Sequence, residues 1–329
     1  MKKILALLVM CMFFSGCASA QDELGDGEFT GNTKPDGVLI NAATNSSINC
    51  TGRPYYPTGV AYFDTAWNGY KYWMCINGSR PNIVASNNGD DWEVPSGMNS
   101  TYFDTPYGAE PWLFYDNTSD ELWLFGNLGQ NLSVRNSTDG ITWGPDYVSY
   151  APLDPYNITF FPTITKNETT YFLYSYRSYP TGHLAPWNIT VATSTDGKNW
   201  SNPTICQFDQ DMSNFIHNKY YTKPSFSYYE SLHRMFVHVG LAEYEYKIFS
   251  GKSTDGINWN MSLSTPVLAG NPPYWDQTIR YGTVIFHNNL IDLFYSATGY
   301  NPNNENPDAL LTGHTTMDYE AFNSSLTYP

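Results

Sequence analysis

The sequence predicts an all-β fold, a five-bladed β-propeller of four-stranded antiparallel blades, and three observations predict it. The first is a turn motif that recurs almost unchanged: Ser137-Thr138-Asp139-Gly140-Ile141-Thr142-Trp143, Ser194-Thr195-Asp196-Gly197-Lys198-Asn199-Trp200 and Ser253-Thr254-Asp255-Gly256-Ile257-Asn258-Trp259. A degenerate copy, Ser86-Asn87-Asn88-Gly89-Asp90-Asp91-Trp92, precedes them, and the four tryptophans are 51, 57 and 59 residues apart. A period of that length means repeated supersecondary units. The second is an apolar element upstream of each turn, with a fifth copy near the C-terminus. The third is an aromatic-rich run after each of these elements.

The apolar element reads Tyr56-Pro57-Thr58-Gly59-Val60-Ala61-Tyr62, then Glu110-Pro111-Trp112-Leu113-Phe114-Tyr115. It continues as Phe161-Pro162-Thr163-Ile164-Thr165, Lys223-Pro224-Ser225-Phe226-Ser227-Tyr228 and Tyr281-Gly282-Thr283-Val284-Ile285-Phe286. Proline is tolerated at a strand start, where no ladder donor is needed, so each copy reads as the inner strand of a blade beginning at that point. The runs Tyr70–Ile76, Leu122–Phe125, Tyr171–Tyr176, Arg234–Val239 and Ile291–Ser296 read as second strands. The turn motif follows a third strand. Its Asp-Gly pair is expected to supply the positive-φ positions of a hairpin tip, with Ser, Thr and Asp bonding back to their own backbone. The tryptophan returns as an apolar anchor under the turn.

Around this repeat the chain divides into three parts. Residues 1–20 form an export signal: Lys2 and Lys3 precede an apolar run, Ile4–Phe14, too short to span a bilayer. Phe14-Ser15-Gly16-Cys17 resembles a lipoprotein box with Cys17 as the lipidated residue, while Ala18-Ser19-Ala20 fits ordinary signal-peptidase cleavage. Both place the mature chain outside the cytoplasm, and the first anchors it to a membrane by lipid. Residues 21–53 are a polar tether and lead-in. Residues 54–329 are the propeller, with blades beginning near 55, 109, 160, 222 and 280. Thirteen Asn-X-Ser/Thr sequons, among them Asn45, Asn77, Asn117, Asn157, Asn188 and Asn260, make glycosylation an expectation. Cys50, Cys75 and Cys206 lie in the exported part; a Cys50–Cys75 disulfide and three free thiols are both open. No Cys or His spacing suggests a metal, and no cofactor is implied.

Composition restricts the partners. Sixteen basic against 31 acidic residues give a net charge of −15, which argues against nucleic acid, since that needs a basic footprint. Aromatic residues make up 17% of the chain and charged residues only 14%. That balance suits stacking on sugars, although a propeller also needs rings between its sheets.

The first blade, with Trp67-Asn68-Gly69-Tyr70-Lys71-Tyr72-Trp73-Met74, resembles the five-bladed proteins of the glycosidase superfamily shared by arabinanases, levansucrases and invertases, and in particular an exported subgroup. The resemblance covers roughly residues 54–322 and is more specific for fold than for activity. It implies that the residue before each inner-strand proline projects into an axial cleft. Hydrolysing members place a catalytic base there in blade one, a second carboxylate in blade two and a glutamate acid in a later blade; an inverting pair stands about 6.5–9.5 Å apart. The matching positions are Tyr56, Glu110, Phe161, Lys223 and Tyr281, and Glu110 is the one carboxylate among them. The blade-one base is therefore missing. Trp275-Asp276 and Arg280 enter the fifth blade and match the subgroup; Asp104, Asp154 and Asp211 are further charges at blade entries, and Glu243 and Glu245 follow the second strand of blade four.

The expected site thus has Glu110 and Asp276 as catalytic candidates and Tyr56, Phe161, Lys223, Trp275, Arg280 and Tyr281 as substrate-binding residues. A Lys223–Glu110 pair would hold Glu110 ionised, which suits binding or a base and not a proton donor. Two readings follow. One is a surface carbohydrate-active enzyme, glycoside hydrolase-like with a divergent active site. The other is a non-catalytic glycan-binding or adhesive propeller. In both the partner is a glycan or polysaccharide.

Overall fold

The computed structural model describes residues 56–77, 82–98, 111–128, 131–150, 158–178, 188–209, 224–242, 245–269, 278–298 and 311–326. Blade one contains β1 (Tyr56–Trp67), β2 (Tyr70–Asn77) and β3 (Asn82–Ser86). Blade two contains β4 (Trp112–Asp116), β5 (Glu121–Leu128), β6 (Asn131–Ser137) and β7 (Tyr147–Tyr150). Blade three contains β8 (Ile158–Lys166), β9 (Tyr171–Ser178), β10 (Asn188–Ser194) and β11 (Thr204–Ile205). After β12 (Gln207–Phe208), blade four contains β13 (Ser225–Tyr229), β14 (Leu232–Ala242), β15 (Glu245–Ser253) and β16 (Asn258–Ser262), with β17 (Leu268–Ala269) beside β15. Blade five contains β18 (Thr278–His287), β19 (Leu290–Thr298) and β20 (Leu311–Asp318), followed by helix α1 (Tyr319–Ser325). Apart from β12 and β17, each sheet is an antiparallel meander in chain order.

The first strands close a ring: β1 packs on β4, β4 on β8, β8 on β13, β13 on β18 and β18 on β1. Where β1 crosses β4, a Cβ on Gly59 would lie 2.6 Å from the Leu113 backbone, so only glycine fits. The core is five buried apolar clusters, one per seam. Trp143 of blade two, for example, joins Trp73 of blade one, and Trp259 of blade four joins Tyr174 of blade three.

Two blades depart from the expected four strands among the described residues. In blade one the fourth strand shrinks to one bridge, Ala85 to Glu93. The chain there runs into Pro95, which has no N–H to donate, and turns at Gly97 (φ +88°). In blade five Asp318 caps α1 through the Ala321 N–H at 3.0 Å, so the chain becomes helical where a turn motif stood in the other blades. β12 pairs in parallel with β16, which widens blade four with the strand leaving blade three.

The turn motif is not the two-residue tip expected from Asp-Gly, because only its glycine has positive φ (Gly89 +79°, Gly140 +73°, Gly197 +68°, Gly256 +75°). The aspartate instead accepts from the two backbone N–H groups beyond the glycine, as Asp139 does from Ile141 at 2.8 Å and Thr142 at 2.6 Å. The leading serine accepts from the glycine N–H, 2.8 Å for Ser137 and Gly140. True positive-φ pairs occur between the first and second strands: Asn68-Gly69, Glu230-Ser231 and Asn288-Asn289.

These turns also join the blades. A Cβ on Gly140 would overlap the Trp73 ring of blade one, and one on Gly197 the Trp123 ring of blade two. A Cβ on Gly256 would lie 2.5 Å from the Tyr174 hydroxyl of blade three. Each turn therefore rests on an aromatic second-strand residue of the preceding blade. Blade five reaches blade four through α1, where the Arg234 Nη2 donates to the Tyr319 hydroxyl at 2.7 Å and Tyr319 meets the Tyr229 ring edge-on.

Candidate functional site at the axial mouth

Contacts across the seams fix the sense of the first strands. At the finish of β1 and β4, Trp67 Nε1 donates to Asp120 Oδ1 at 2.8 Å. At the finish of β4 and β8, Lys166 pairs with Asp116 at 2.7 Å. Tyr229 and Phe286, at the finish of β13 and β18, stack with centroids 5.0 Å apart, and Asn288 donates to the Tyr62 hydroxyl across the last seam at 3.1 Å. Since the strand finishes share one end of the axis, their starts share the other. That second end is the mouth where residues from distant repeats can meet.

Of the residues expected there, Tyr56 opens β1 and is buried, and its hydroxyl accepts from the Asn77 side chain across the β1–β2 pair. Asn77 is thereby withdrawn from glycosylation in the folded chain, whereas Asn117 and Asn260 are exposed. Phe161 lies within β8 and Arg280 and Tyr281 within β18. Glu110, Lys223, Trp275 and Asp276 lie outside the described residues, as do Cys17, Asp104, Asp154, Asp211 and Glu243; Glu245 opens β15.

The expected strand starts at Phe161 and Tyr281 shift in the structure. β8 begins three residues earlier and β18 three residues earlier, and the pairing register breaks between Phe160 and Thr163 and between Ile279 and Tyr281. A third break falls between Pro57 and Gly59 in β1. Three of the five first strands thus carry an irregularity near the mouth, a device that re-aims the backbone beside functional sites. The proline in β8 sits at its break, where a missing ladder donor is harmless.

His238 holds one of these breaks in place, and nothing in the scatter of six histidines pointed to it. Buried on β14, it gives its Nε2–H to the Ile279 carbonyl, next to Arg280. The carbonyl can only accept, so Nε2 carries the proton. Thr58 plays a similar part in blade one, donating from its hydroxyl to the Cys75 carbonyl at 3.2 Å. Cys75 and Cys206 are free buried thiols, and burial pushes both up to about 12. Among the described residues no group of three or more His, Cys, Asp or Glu is placed to hold a metal ion.

The same scaffold recurs in solved structures. An N-acetylgalactosamine deacetylase from F. plautii, in complex with blood group B trisaccharide, superposes with a TM-score of 0.71 at 17% identity, over 90% of this chain and 97% of that one. A Bacillus subtilis arabinanase gives 0.54 at 13% identity, over 82% of this chain and 95% of that one. A thermostable family-43 glycoside hydrolase gives 0.56 at 16%, over 81% and 89%. The fold is that of the arabinanase-type propellers. In sequence, the chain is 29% identical over 161 residues to the A type blood N-acetyl-α-D-galactosamine deacetylase of Flavonifractor plautii, a match over 42% of this chain. It spans about a fifth (20%) of the length of that curated relative. No family model matches the propeller.

Proposed function

We propose that this propeller is an exported, surface-anchored carbohydrate-active protein, glycoside hydrolase-like with a divergent active site at the axial mouth. The observation that carries the reading is the convergence of five first strands on one mouth, three of them irregular there. The structural and the sequence match, both named as N-acetylgalactosamine deacetylases of F. plautii, support a glycan as ligand and make glycans bearing that sugar the first to test. Glu110 and Asp276 are the acid/base candidates, with Phe161, Lys223, Trp275, Arg280 and Tyr281 as binding residues. Tyr56, buried against Asn77, shapes the wall and offers no open ring face.

A second reading, a non-catalytic glycan-binding propeller, is favoured by the presence of a single carboxylate among the five expected mouth positions. A glycan array including blood group A and B structures, followed by mass spectrometry of the bound glycans, separates the two. Release of a sugar or an acetyl group, lost in Glu110→Gln or Asp276→Asn, supports the enzyme. Binding with unchanged glycans supports the binding module, and binding and turnover that survive both substitutions place the site elsewhere.

Export and anchoring rest on residues 1–20. Cys17→Ser is expected to release the protein into the medium or to block its processing. A cleaved Cys17→Ser protein that still fractionates with the membrane excludes the lipid anchor.

A further inference from the structure

The seam that closes the ring, between blade five and blade one, differs chemically from the others. At three seams the turn glycine rests on Trp73, Trp123 or Tyr174. At the closing seam the Gly89 Cβ position is 3.4 Å from His314 Cε1 on β20. The imidazole lies flat on Phe294 of β19, with centroids 4.4 Å apart and planes 6° from parallel. The residue after the turn glycine is Ile141, Lys198 or Ile257 in the regular copies, but Asp90 in the degenerate one, and Asp90 Oδ1 is 3.3 Å from His314 Nδ1.

The other ring nitrogen meets acceptors as well. His314 Nε2 is 3.3 Å from Asp292 Oδ1 and 3.3 Å from Thr316 Oγ1. The Thr316 hydroxyl already donates its proton to Asp292 Oδ1 at 2.6 Å, so toward Nε2 it can only accept. Asp292 is buried on β19 and also takes the His287 Nε2–H at 2.6 Å and the Tyr72 hydroxyl of blade one at 3.2 Å. Burial pushes the Asp292 carboxyl up, but these hydrogen bonds outweigh it and keep it below the ordinary range, hence ionised. One shell further out, Tyr62 stacks on His287 with centroids 3.9 Å apart and Asp64 shares Asn288 with it.

We propose that His314 is a proton-dependent latch. In the closed ring its imidazolium bridges the carboxylates of Asp90 in blade one and Asp292 in blade five, because only the doubly protonated ring has a donor for each. When the ring loses a proton, one nitrogen lone pair faces a carboxylate oxygen and the seam keeps two anions with no cation between them. The closing seam therefore loosens when His314 gives up that second proton.

The test is thermal unfolding of the full chain at pH 5.5 and 8.0 for the wild type, His314→Gln and Asp90→Asn. Subtracting the variant from the wild type isolates this ring from other histidines, such as His233, which burial pushes down to about 4. The expected difference is a stabilisation of about 3 °C or more at pH 5.5 that disappears at pH 8.0, smaller for Asp90→Asn, whose carboxylate is partly exposed. Parallel wild-type and variant profiles overturn the latch. If His314→Gln does not fold, the Asp90→Asn comparison and imidazole nitrogen NMR of the wild type decide. Two protonated nitrogens on His314 at pH 6 support the latch, and one unprotonated nitrogen at that pH refutes it.

Discussion

The Trp200 indole donates to the Ser149 hydroxyl at 2.9 Å, and that hydroxyl donates to the Gly197 carbonyl at 3.3 Å. The other three turn tryptophans bond directly to the carbonyl of their own glycine: Trp92 to Gly89 at 2.8 Å, Trp143 to Gly140 at 3.2 Å and Trp259 to Gly256 at 3.2 Å. Ser149, from the last strand of blade two, has entered the turn of blade three and displaced its anchor outward, so Trp200 is only half-buried. The four anchors are therefore not equivalent. Trp143→Ala and Trp259→Ala should each cost about 3–5 kcal/mol, and Trp200→Ala distinctly less. Urea unfolding of the three variants checks this; equal losses would mean that the serine does not alter the anchor.

The turn glycines should be intolerant of even a methyl group. Gly140→Ala and Gly197→Ala combine positive φ with overlap onto Trp73 and Trp123, and each should lose at least about 2 kcal/mol. Gly69, with equally positive φ but nothing near its Cβ position, separates the two causes. Gly69→Ala should lose only the backbone part, about 1 kcal/mol, in the same unfolding assay.

Much of this was legible in the sequence because it repeats: five inner strands and four turns share composition, and repetition overcomes the ambiguity of any single copy. The three-stranded form of the blade-one and blade-five sheets among the described residues was not, since it follows from Pro95 and from the Asp318 cap, two local events outside the repeat. Proline at Phe161-Pro162 signalled a strand start but marks a register break inside β8, because a proline is equally tolerated at either. The roles of Ser149, His238, His314 and Asp90 come from contacts between blades, up to 224 residues apart, where no local pattern exists. At the mouth, the sequence offered Glu110 and Asp276 through a resemblance, while Tyr56 turned out to be committed to Asn77.

The Glu230-Ser231 hairpin carries φ of +51° and +61° on residues that disfavour it. Ser231→Gly should relieve more strain than it adds in unfolded-state freedom and should raise stability by about 0.5 kcal/mol. A lower urea midpoint for this variant would mean that the serine makes a compensating bond.

Stability should fall steeply in acid. Burial pushes the Asp116 carboxyl up, but hydrogen bonds from Lys166, Ser119 and Tyr171 outweigh it and hold it below the ordinary range, as His287, His314 and Thr316 do for Asp292. A depressed folded value means that the stabilisation is complete above the unfolded value, about 3.9, and is lost as pH drops through the folded one. Urea midpoints from pH 5 to 2.5 should decline, less so in Asp116→Asn. An unchanged slope in that variant would show that Asp116 is not among the groups responsible.

Neither Cys75 nor Cys206 should react in the native chain. Both thiols are buried and pushed up to about 12, so the thiolate is scarce at pH 8. Alkylation before and after unfolding, read by mass spectrometry, should label both only after unfolding.

The direction in which the turns lean sets an order of completion during synthesis. Blades two, three and four each rest a turn on a blade made before them, and α1 docks on blade four, so these contacts can form as the chain emerges. Blade one alone waits: the surface beneath Gly89 is shared by Tyr72 of its own blade and His314 of β20, the last described strand. A nascent chain stopped short of residue 311 would hold blades two to four stacked on blade one, a fifth blade without β20 and α1, and a first-blade turn left uncovered, and would depend longest on whatever shields Trp92 and Tyr72 from misassembly.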